Sequence, residues 1–286
     1  MKMKNNRQFA VFILSHGRAD NVVTYKTLKR QGYTGKIYII VDNEDSQIKL
    51  YQKNFGKENV IIFDKEYAMS ITDTADNFSD KRAVVYARNM CFEIAKNLGL
   101  THFLELDDDY TEFQYRYIGG NILKHKKIKD LNGLFNCVLD FLDNSNLDCV
   151  ALAQGGDYIG GVGGAINDGL KRKIMNTFFC RVDKPFKFLG KINEDVNCYV
   201  FEGSKGKKFL SIMDLAINQI QTQSNGGGLT DIYLNLGTYV KSFYSVIVMP
   251  SAVKISVMGN TFMRIHHKIK WNNCVPKIIN QKYKRS

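Results

Sequence analysis

The sequence of 286 residues lacks any long apolar segment. Because no run of about 18 apolar residues occurs, the sequence predicts no membrane-spanning helix. The N-terminus has a basic start, but its apolar run is short and no small-residue cleavage site follows it, which argues against a secretion signal. These two absences favour a cytoplasmic protein.

Prolines and paired cysteines are also scarce. The chain has three prolines and six cysteines, and no two cysteines form a CxxC pair. This spacing argues against a zinc ribbon or a disulfide scaffold and favours reduced thiols. Without a Ser/Pro-rich linker, two tethered domains are not expected, and 286 residues suffice for one large core. The sequence therefore predicts a single domain over residues 1–286.

Acidic residues are missing from the C-terminal end of the chain. The whole chain has 40 Lys and Arg against 28 Asp and Glu, a net charge of +12. Asp231 is the last acidic residue and nine cations follow it, so the last 55 residues carry +9, against +3 before them. Such a basic segment indicates a polyanionic partner. The alternative is a solvated tail that only aids solubility.

Apolar runs alternate with helical patterns in the first half of the chain. Residues 9–14, 36–41 and 60–63 are predicted strands, with helices near 19–31 and 44–55 between them. This order predicts an α/β fold with a mainly parallel central sheet flanked by helices. Ligands in such sheets bind beyond the carboxyl ends of the strands.

Further elements follow with less regular spacing. The patterns predict helices over residues 81–98, 131–143 and 206–220, and strands at 102–106, 149–153 and 253–257, with β-structure also at 239–249.

Three successive carboxylates, Asp107, Asp108 and Asp109, end the predicted strand at 102–106. Their mutual repulsion requires a compensating cation or hydrogen-bond donors, and Mg²⁺ or Mn²⁺ shared with phosphate oxygens fits that need. In an extended segment, Asp107 and Asp109 point to the same side, about 7 Å apart. The pair is therefore a candidate metal site, with an ordinary acidic turn as the alternative.

At this point the chain resembles glycosyltransferases of the GT-A fold. The resemblance implies that residues 1–110 form the nucleotide-sugar-binding half and residues 111–286 the acceptor-binding half, with a divalent metal, Mn²⁺ or Mg²⁺, on Asp107 and Asp109. The residues that it implies for donor binding lie at strand ends and on the preceding helix: Ser15, Gly17, Arg18, Asp42, Arg82, Arg88, Asn89 and Asp108. Arginine suits a diphosphate because its charged fork matches phosphate oxygens.

Two later motifs complete the candidate site. Glu194-Asp195 resembles the pair that supplies the catalytic base in inverting GT-A enzymes, and a carboxylate can take the proton of an attacking hydroxyl. Asp195 is the preferred base and Glu194 the second choice. His266 and His267 are candidates for a further metal ligand. Arg264, Lys268 and Lys270 beside them are candidates for contacts to the departing diphosphate or to DNA.

Together these motifs resemble one narrower group, the phage glycosyltransferases associated with TET-type oxygenases. This resemblance implies sugar transfer from a nucleotide sugar, preferably a UDP-sugar, to a hydroxymethylated pyrimidine such as 5-hydroxymethylcytosine in DNA. It places the protein in the host cytoplasm if a phage encodes it. The terminal cations suit DNA phosphates: Lys277, Lys282, Lys284 and Arg285. A glycan or protein acceptor and a non-catalytic DNA-binding module stay open, as do the sugar, the stereochemistry and the oligomeric state.

Overall fold

A computed structural model of the chain describes residues 7–76, 81–220, 240–258 and 263–276. The strands are β1 (Phe9–Leu14), β2 (Ile37–Asp42), β3 (Val60–Phe63), β4 (His102–Asp107), β5 (Tyr110–Gly119), β6 (Ile122–Lys127), β7 (Cys149–Ala153), β8 (Leu170–Lys171), β9 (Thr177–Arg181), β10 (Phe209–Gln219), β11 (Val253–Met258) and β12 (Arg264–Ile269). The α-helices are α1 (Val23–Arg30), α2 (Ile48–Phe55), α3 (Lys65–Ser70), α4 (Val85–Asn97), α5 (Leu131–Asn144), α6 (Glu194–Ser204) and α7 (Val240–Val248).

One large sheet contains strands from both halves of the chain. Its order is β3-β2-β1-β4-β9-β7-β10-β5-β6, with β8 paired to β10. Strands β3, β2, β1 and β4 lie side by side in that order and all run parallel, and β7 is parallel to β10. Antiparallel pairings join β9 to β4 and β7, and β5 to β10 and β6. The predicted α/β fold around a central sheet is confirmed, with the uniformly parallel part confined to the first half.

The sheet buries apolar side chains on both faces. On one face, Phe12 and Phe103 pack with residues of α4 and α6. On the other, Val11 and Ile13 pack with α1 and α5, including Leu28 and Phe135. Burial on both faces explains why β1 is an unbroken apolar run. Within the described ranges, no helix is both long and apolar enough to cross a lipid bilayer.

Two sequence predictions in the second half were wrong. Residues 209–219, predicted within a helix, form β10, which pairs with β7 on one side and β5 on the other. Residues 240–248, predicted as β-structure, form α7, whose buried Ser242, Tyr244 and Ser245 follow helical spacing. In both segments the tertiary environment overrides intrinsic propensity, which is a weak constraint by itself.

Most other predicted elements are confirmed, with shorter helices. Strands β1, β3 and β7 have the predicted bounds, whereas α1 and α2 begin at Val23 and Ile48, several residues later than expected. Residues before these helices form turns that carry site groups. Pairing across β5 and β6 was not anticipated at all.

Candidate active site

The acidic turn after β4 alternates open and buried carboxylates. Asp107 and Asp109 are half-buried, while Asp108 is 4% exposed. The Asp108 carboxylate accepts a hydrogen bond from Ser15 Oγ at 2.6 Å and another from Arg18 Nη1 at 3.0 Å. Asp108 therefore ties the loop after β1 to the acidic turn and leaves its two neighbours accessible.

A threonine on α1 fixes the backbone of this turn. The Thr24 hydroxyl donates to the Asp107 carbonyl at 2.6 Å and accepts from the Tyr110 amide at 2.8 Å. Thr24 is fully buried, so these bonds satisfy groups that water cannot reach. Thr24 was not among the predicted site residues, since a threonine in an amphipathic helix carries no distinctive signal.

The accessible carboxylates fit a divalent cation. Burial, together with the charges of Asp107 and Asp108, raises the pKa of Asp109 to about 7. A hard cation relieves this repulsion through carboxylate oxygens, the ligands that Mg²⁺ and Mn²⁺ prefer. Among the described residues, no three His, Cys, Asp or Glu side chains lie close enough together to hold a metal ion. The fit therefore depends on the two carboxylates of the turn.

Arg88 on α4 joins the acidic turn to α6. Its Nη1 donates to Glu105 Oε1 at 2.6 Å, its Nη2 to Asp107 Oδ1 at 3.1 Å, and its Nε to Glu194 Oε1 at 3.1 Å. The guanidinium is 1% exposed and packs over the ring of Phe178 at 4.9 Å. Because three carboxylates occupy it, the geometry favours a positioning role over the direct donor contact predicted for Arg88.

Glu105 is the carboxylate beneath this network. It is fully buried, and burial raises its pKa to about 7 although the Arg88 charge opposes that shift. Although burial of the guanidinium opposes the shift, the charges of Asp107, Glu105 and Glu194 hold the pKa of Arg88 well above its usual value. The two shifts are consistent because Glu105 shares its cation with Asp107 and Glu194. Glu105, a charged residue inside an otherwise apolar strand, is the sequence feature that could have indicated its pairing with a buried cation such as Arg88.

The Glu194-Asp195 pair lies at the start of α6. Asn193 precedes the helix in a left-handed conformation, with φ +55°, and its side-chain amide donates to the Lys241 carbonyl at 2.5 Å. Burial raises the pKa of Glu194 to about 7, which Arg88 opposes and Asp195 reinforces. Burial also raises the pKa of Asp195, with the Lys241 charge as the main opposing effect. Glu194 accepts a hydrogen bond from Arg88, whereas Asp195 Oδ1 accepts one from the Val196 amide at 2.7 Å.

The loop after β1 is held by residues of the β2–α2 segment. Gly17 has φ +66°, a conformation that favours glycine, and its amide donates to Asp45 Oδ2 at 2.7 Å. The Tyr51 hydroxyl lies 2.8 Å from Ser15 Oγ and accepts from the Arg18 amide at 2.8 Å. Tyr51 and Asp45 were not anticipated, and they hold this loop in one shape.

Asp42, at the end of β2, is paired with two basic groups. The His16 Nδ1 lies 2.7 Å from Asp42 Oδ2, and Lys65 Nζ lies 3.4 Å from Oδ1. The hydrogen bond to Asp42 raises the pKa of His16 above its usual value. Burial opposes ionisation of Asp42, yet the bond and charge of His16, with Lys65, lower its pKa overall. His16 was not among the predicted site residues, and its pairing with Asp42 adds it to the site.

Two other predicted donor-binding residues lie beside α4. Asn89 exchanges hydrogen bonds with the backbone of Phe188, donating at 2.9 Å and accepting at 2.8 Å, so it anchors the segment that leads to α6. Arg82 is exposed just before the helix. Their donor-binding roles stay predictions.

The histidine pair lies on β12, in a two-stranded sheet with β11. The rings of His266 and His267 stack with centroids 4.3 Å apart. Burial lowers the pKa of His267 to about 4, helped by the positive charges of His266, Lys241 and Lys173. The ring is therefore neutral near pH 7, and its buried Nδ1 has no hydrogen-bond partner among the described residues. Metal ligation by either histidine stays a prediction.

The predicted cations divide between described and undescribed segments. Arg264 begins β12, and Lys268 and Lys270 are exposed at its other end. The other four lie outside the described residues: Lys277, Lys282, Lys284 and Arg285.

Comparison with known proteins identifies a family. The sequence profile of the TET-Associated Glycosyltransferase family matches residues 9–228, most of the chain. Comparison with curated protein sequences found no match.

Solved structures of glycosyltransferases are also similar. A mannosyltransferase from Pyrobaculum calidifontis, solved with GDP-Man and Mn²⁺, has 10% identity and a TM-score of 0.46, covering 86% of this chain and 75% of its own. Glucosyl-3-phosphoglycerate synthase from Mycobacterium tuberculosis, solved with Mn²⁺, UDP and phosphoglyceric acid, has 8% identity and a TM-score of 0.46, covering 93% and 88%. At such low similarity, neither bears on the substrate of this chain.

Proposed function

The chain belongs to the TET-associated glycosyltransferase family, and from this premise we propose that it transfers a sugar from a nucleotide-sugar donor to a hydroxymethylated pyrimidine in DNA. The observation that carries the proposal is the family match over residues 9–228, a range that contains the acidic turn, the Arg88 network and the Glu194-Asp195 pair. A glycosyltransferase needs a donor site, a base and an acceptor site, and the proposal assigns residues to each.

The acidic turn is the proposed diphosphate site. Asp107 and Asp109 would hold Mn²⁺ or Mg²⁺, and the repulsion that raises the pKa of Asp109 supports this assignment. The cation would neutralise charge that develops on the departing diphosphate. Asp108 stays bonded to Ser15 and Arg18 and keeps the turn beside the loop after β1. The proposed pocket for the nucleoside is formed by this loop, which contains Gly17, together with Asp42. Arg82 and Asn89 are further predicted contacts.

Asp195 is the proposed general base. Glu194 is bound to Arg88, which uses its remaining donors on Glu105 and Asp107, so Glu194 serves to hold the network. The raised pKa of Asp195 brings its basicity closer to that needed to accept a proton from a hydroxyl near neutral pH. Through Arg88, the metal-binding turn and the start of α6 keep a fixed relative position.

The basic C-terminal segment is proposed to contact phosphates of both substrates. Arg264, Lys268 and Lys270, with His266 and His267 between them, would lie toward the donor diphosphate. Lys277 and the cations after it would bind the DNA backbone, where Lys and Arg supply affinity that is independent of sequence. The cytoplasmic location expected from the sequence agrees with a DNA acceptor.

A direct assay tests the proposal. The enzyme is incubated with Mn²⁺, a panel of sugar nucleotides, and either hydroxymethylated or plain DNA, after which the DNA is digested and its nucleosides are weighed. We expect nucleosides with an added sugar mass only from hydroxymethylated DNA, and none with Asp195→Asn. Sugar addition to a glycan or protein and never to DNA would overturn the acceptor assignment.

A further inference from the structure

A two-stranded ribbon projects from the edge of the large sheet. Pairing of β5 with β10 ends at Tyr115, opposite Leu215. Pairing of β5 with β6 continues beyond that point, through Tyr117 opposite Lys124 to Gly119 opposite Ile122. Residues 115–127 therefore form a ribbon whose far part has no third strand among the described residues.

The turn of the ribbon is tight. Gly120 and Asn121 connect the paired residues Gly119 and Ile122, and Gly120 has φ +67°. Glycine at the first central position with positive φ is the pattern of a type II′ turn, which matches the twist of paired strands. The ribbon thus has the defined register of a regular hairpin.

The ribbon carries positive charge without compensation. Residues 115–127 contain four cations, Arg116, Lys124, Lys126 and Lys127, and no carboxylate. Lys124, His125 and Lys126 are exposed, and within the described parts of the chain no ion pair involves the three lysines. Tyr115 and Tyr117, opposite two of these lysines, are 42% and 45% exposed. Cations interleaved with exposed aromatic rings suit a nucleic acid, which offers phosphates and bases together.

We propose that this ribbon docks the DNA acceptor by entering the major groove of the duplex. The inference rests on the proposed function, since it assumes a DNA acceptor. The major groove is about 12 Å wide and admits a two-stranded β-ribbon. The C5 substituent of a pyrimidine projects into the same groove. A protein that approaches from that groove therefore meets the hydroxymethyl group on the side where it has docked.

The position of the ribbon relative to the acidic turn agrees with this role. Strand β5 begins at Tyr110, directly after Asp109, and Lys126 and Lys124 oppose its Tyr115 and Tyr117. At about 3.4 Å per residue, these lysines lie roughly 17–24 Å along the strand from the turn. That separation is between one and two groove widths, so a duplex on the ribbon reaches the candidate site.

The test compares two double charge reversals of equal size. Lys124→Glu with Lys126→Glu alters the ribbon, and Lys53→Glu with Lys57→Glu alters exposed lysines near β3, at the opposite edge of the sheet. Affinity for plain and hydroxymethylated duplexes is measured over a series of salt concentrations. At 0.1 M salt we expect the ribbon variant to lose roughly tenfold in affinity for each lost phosphate contact, with the slope of log K against log salt reduced by about 0.9 per contact.

The controls separate this inference from the proposed function. Donor hydrolysis by water should be the same in wild type and both variants, which shows that the donor site is intact. Equal duplex affinity of the ribbon and control variants would overturn the ribbon inference, as would a wild type that binds no duplex. Failure of wild type to glycosylate hydroxymethylated DNA, while the ribbon variant still loses affinity for plain duplex, would overturn the proposed function alone.

Discussion

The cations of the candidate site and those of the β5–β6 ribbon have different surroundings. In residues 7–110, Arg18 pairs with Asp108, Lys65 with Asp42, and Arg88 with three carboxylates. In the β5–β6 ribbon, three lysines have no carboxylate partner within the described residues. Cations neutralised inside the protein fix the shape of a site, whereas cations left to solvent are available to an external polyanion.

The carboxylates support the same contrast. Most carboxylates of the candidate site are paired with basic groups, namely Asp42, Glu105, Asp107, Asp108 and Glu194. Asp109 forms no ion pair within the described residues. Under the proposed function, the donor site would be formed before substrate arrives, while affinity for the acceptor would depend on surface charge. Four variants test this division, and their expected effects decrease in the order given.

The largest effect is expected for Asp109→Asn. Loss of the proposed metal ligand should reduce turnover by about a thousandfold, since several kcal/mol of charge stabilisation would be lost. Because the substitution also removes repulsion with Asp107 and Asp108, the free energy of unfolding should stay within about 1 kcal/mol of wild type or rise. Steady-state kinetics and denaturant unfolding measure both, with Glu66→Gln as an exposed control. Full turnover by Asp109→Asn would contradict the metal assignment.

Arg88→Met should have the largest effect on stability. Removing the cation leaves the buried Glu105 carboxyl without its partner, and breaking such a pair costs about 3–5 kcal/mol. Adding Glu105→Gln should recover part of the loss, because the neutral amide no longer needs the guanidinium. Urea unfolding of the single and double variants measures the coupling between Arg88 and Glu105. Arg30→Met, at an exposed position on α1, is the control. Equal stability of Arg88→Met and wild type would show that the network is not a structural link.

A smaller effect is expected for the terminal cations. Replacing Lys282, Lys284 and Arg285 by Gln should weaken duplex binding. The slope of log K against log salt should become smaller by up to about 0.9 for each lost phosphate contact. Fluorescence anisotropy with labelled DNA over a salt series measures the slope. If the tail only aids solubility, the slope will not change.

The smallest effect is expected for the His16–Asp42 pair. The raised pKa of His16 means that its stabilisation is fully present below its ordinary pKa of about 6.5 and is lost as the pH rises through the folded value. The lowered pKa of Asp42 means that the pair also weakens as the pH falls through that value, below 3.8. His16→Gln should therefore lose stability mainly between about pH 4 and 6.5, by less than about 1 kcal/mol because the imidazole is half exposed. Unfolding at pH 5.5 and pH 8.5 tests this difference, which should vanish at the higher pH.

The sequence predicted the first half better than the second for a physical reason. Parallel strands buried on both faces are continuous apolar runs, so β1 was recognised with its bounds, and the groups at its end followed. Strand β10 has no such run, since its Ser211 is buried and its Asp214 is exposed, and its environment comes from β5 and β7. Most residues of the β5–β6 ribbon are exposed, and its sequence gives no periodic signal. Long-range pairing of this kind is not readable from local pattern.

The candidate site shows a similar limit. Residue types at strand ends indicated Ser15, Arg18 and Asp108, but not that these three bind one another. Likewise, Arg88 and Glu194 were identified separately, 106 positions apart, and only the fold brings them within 3.1 Å. Thr24 and Tyr51 carry no sequence signal because their roles depend on which backbone groups lie opposite them.

The most direct test of this division is a pair of binding measurements on two variants. Calorimetry with nucleoside diphosphates and Mn²⁺, and anisotropy with hydroxymethylated duplex, are applied to Asp109→Asn and to Lys124→Glu with Lys126→Glu. We expect Asp109→Asn to lose nucleotide binding and keep duplex affinity, and the ribbon variant to keep nucleotide binding and lose duplex affinity. Loss of both affinities in either variant, or the reverse assignment, would contradict this division.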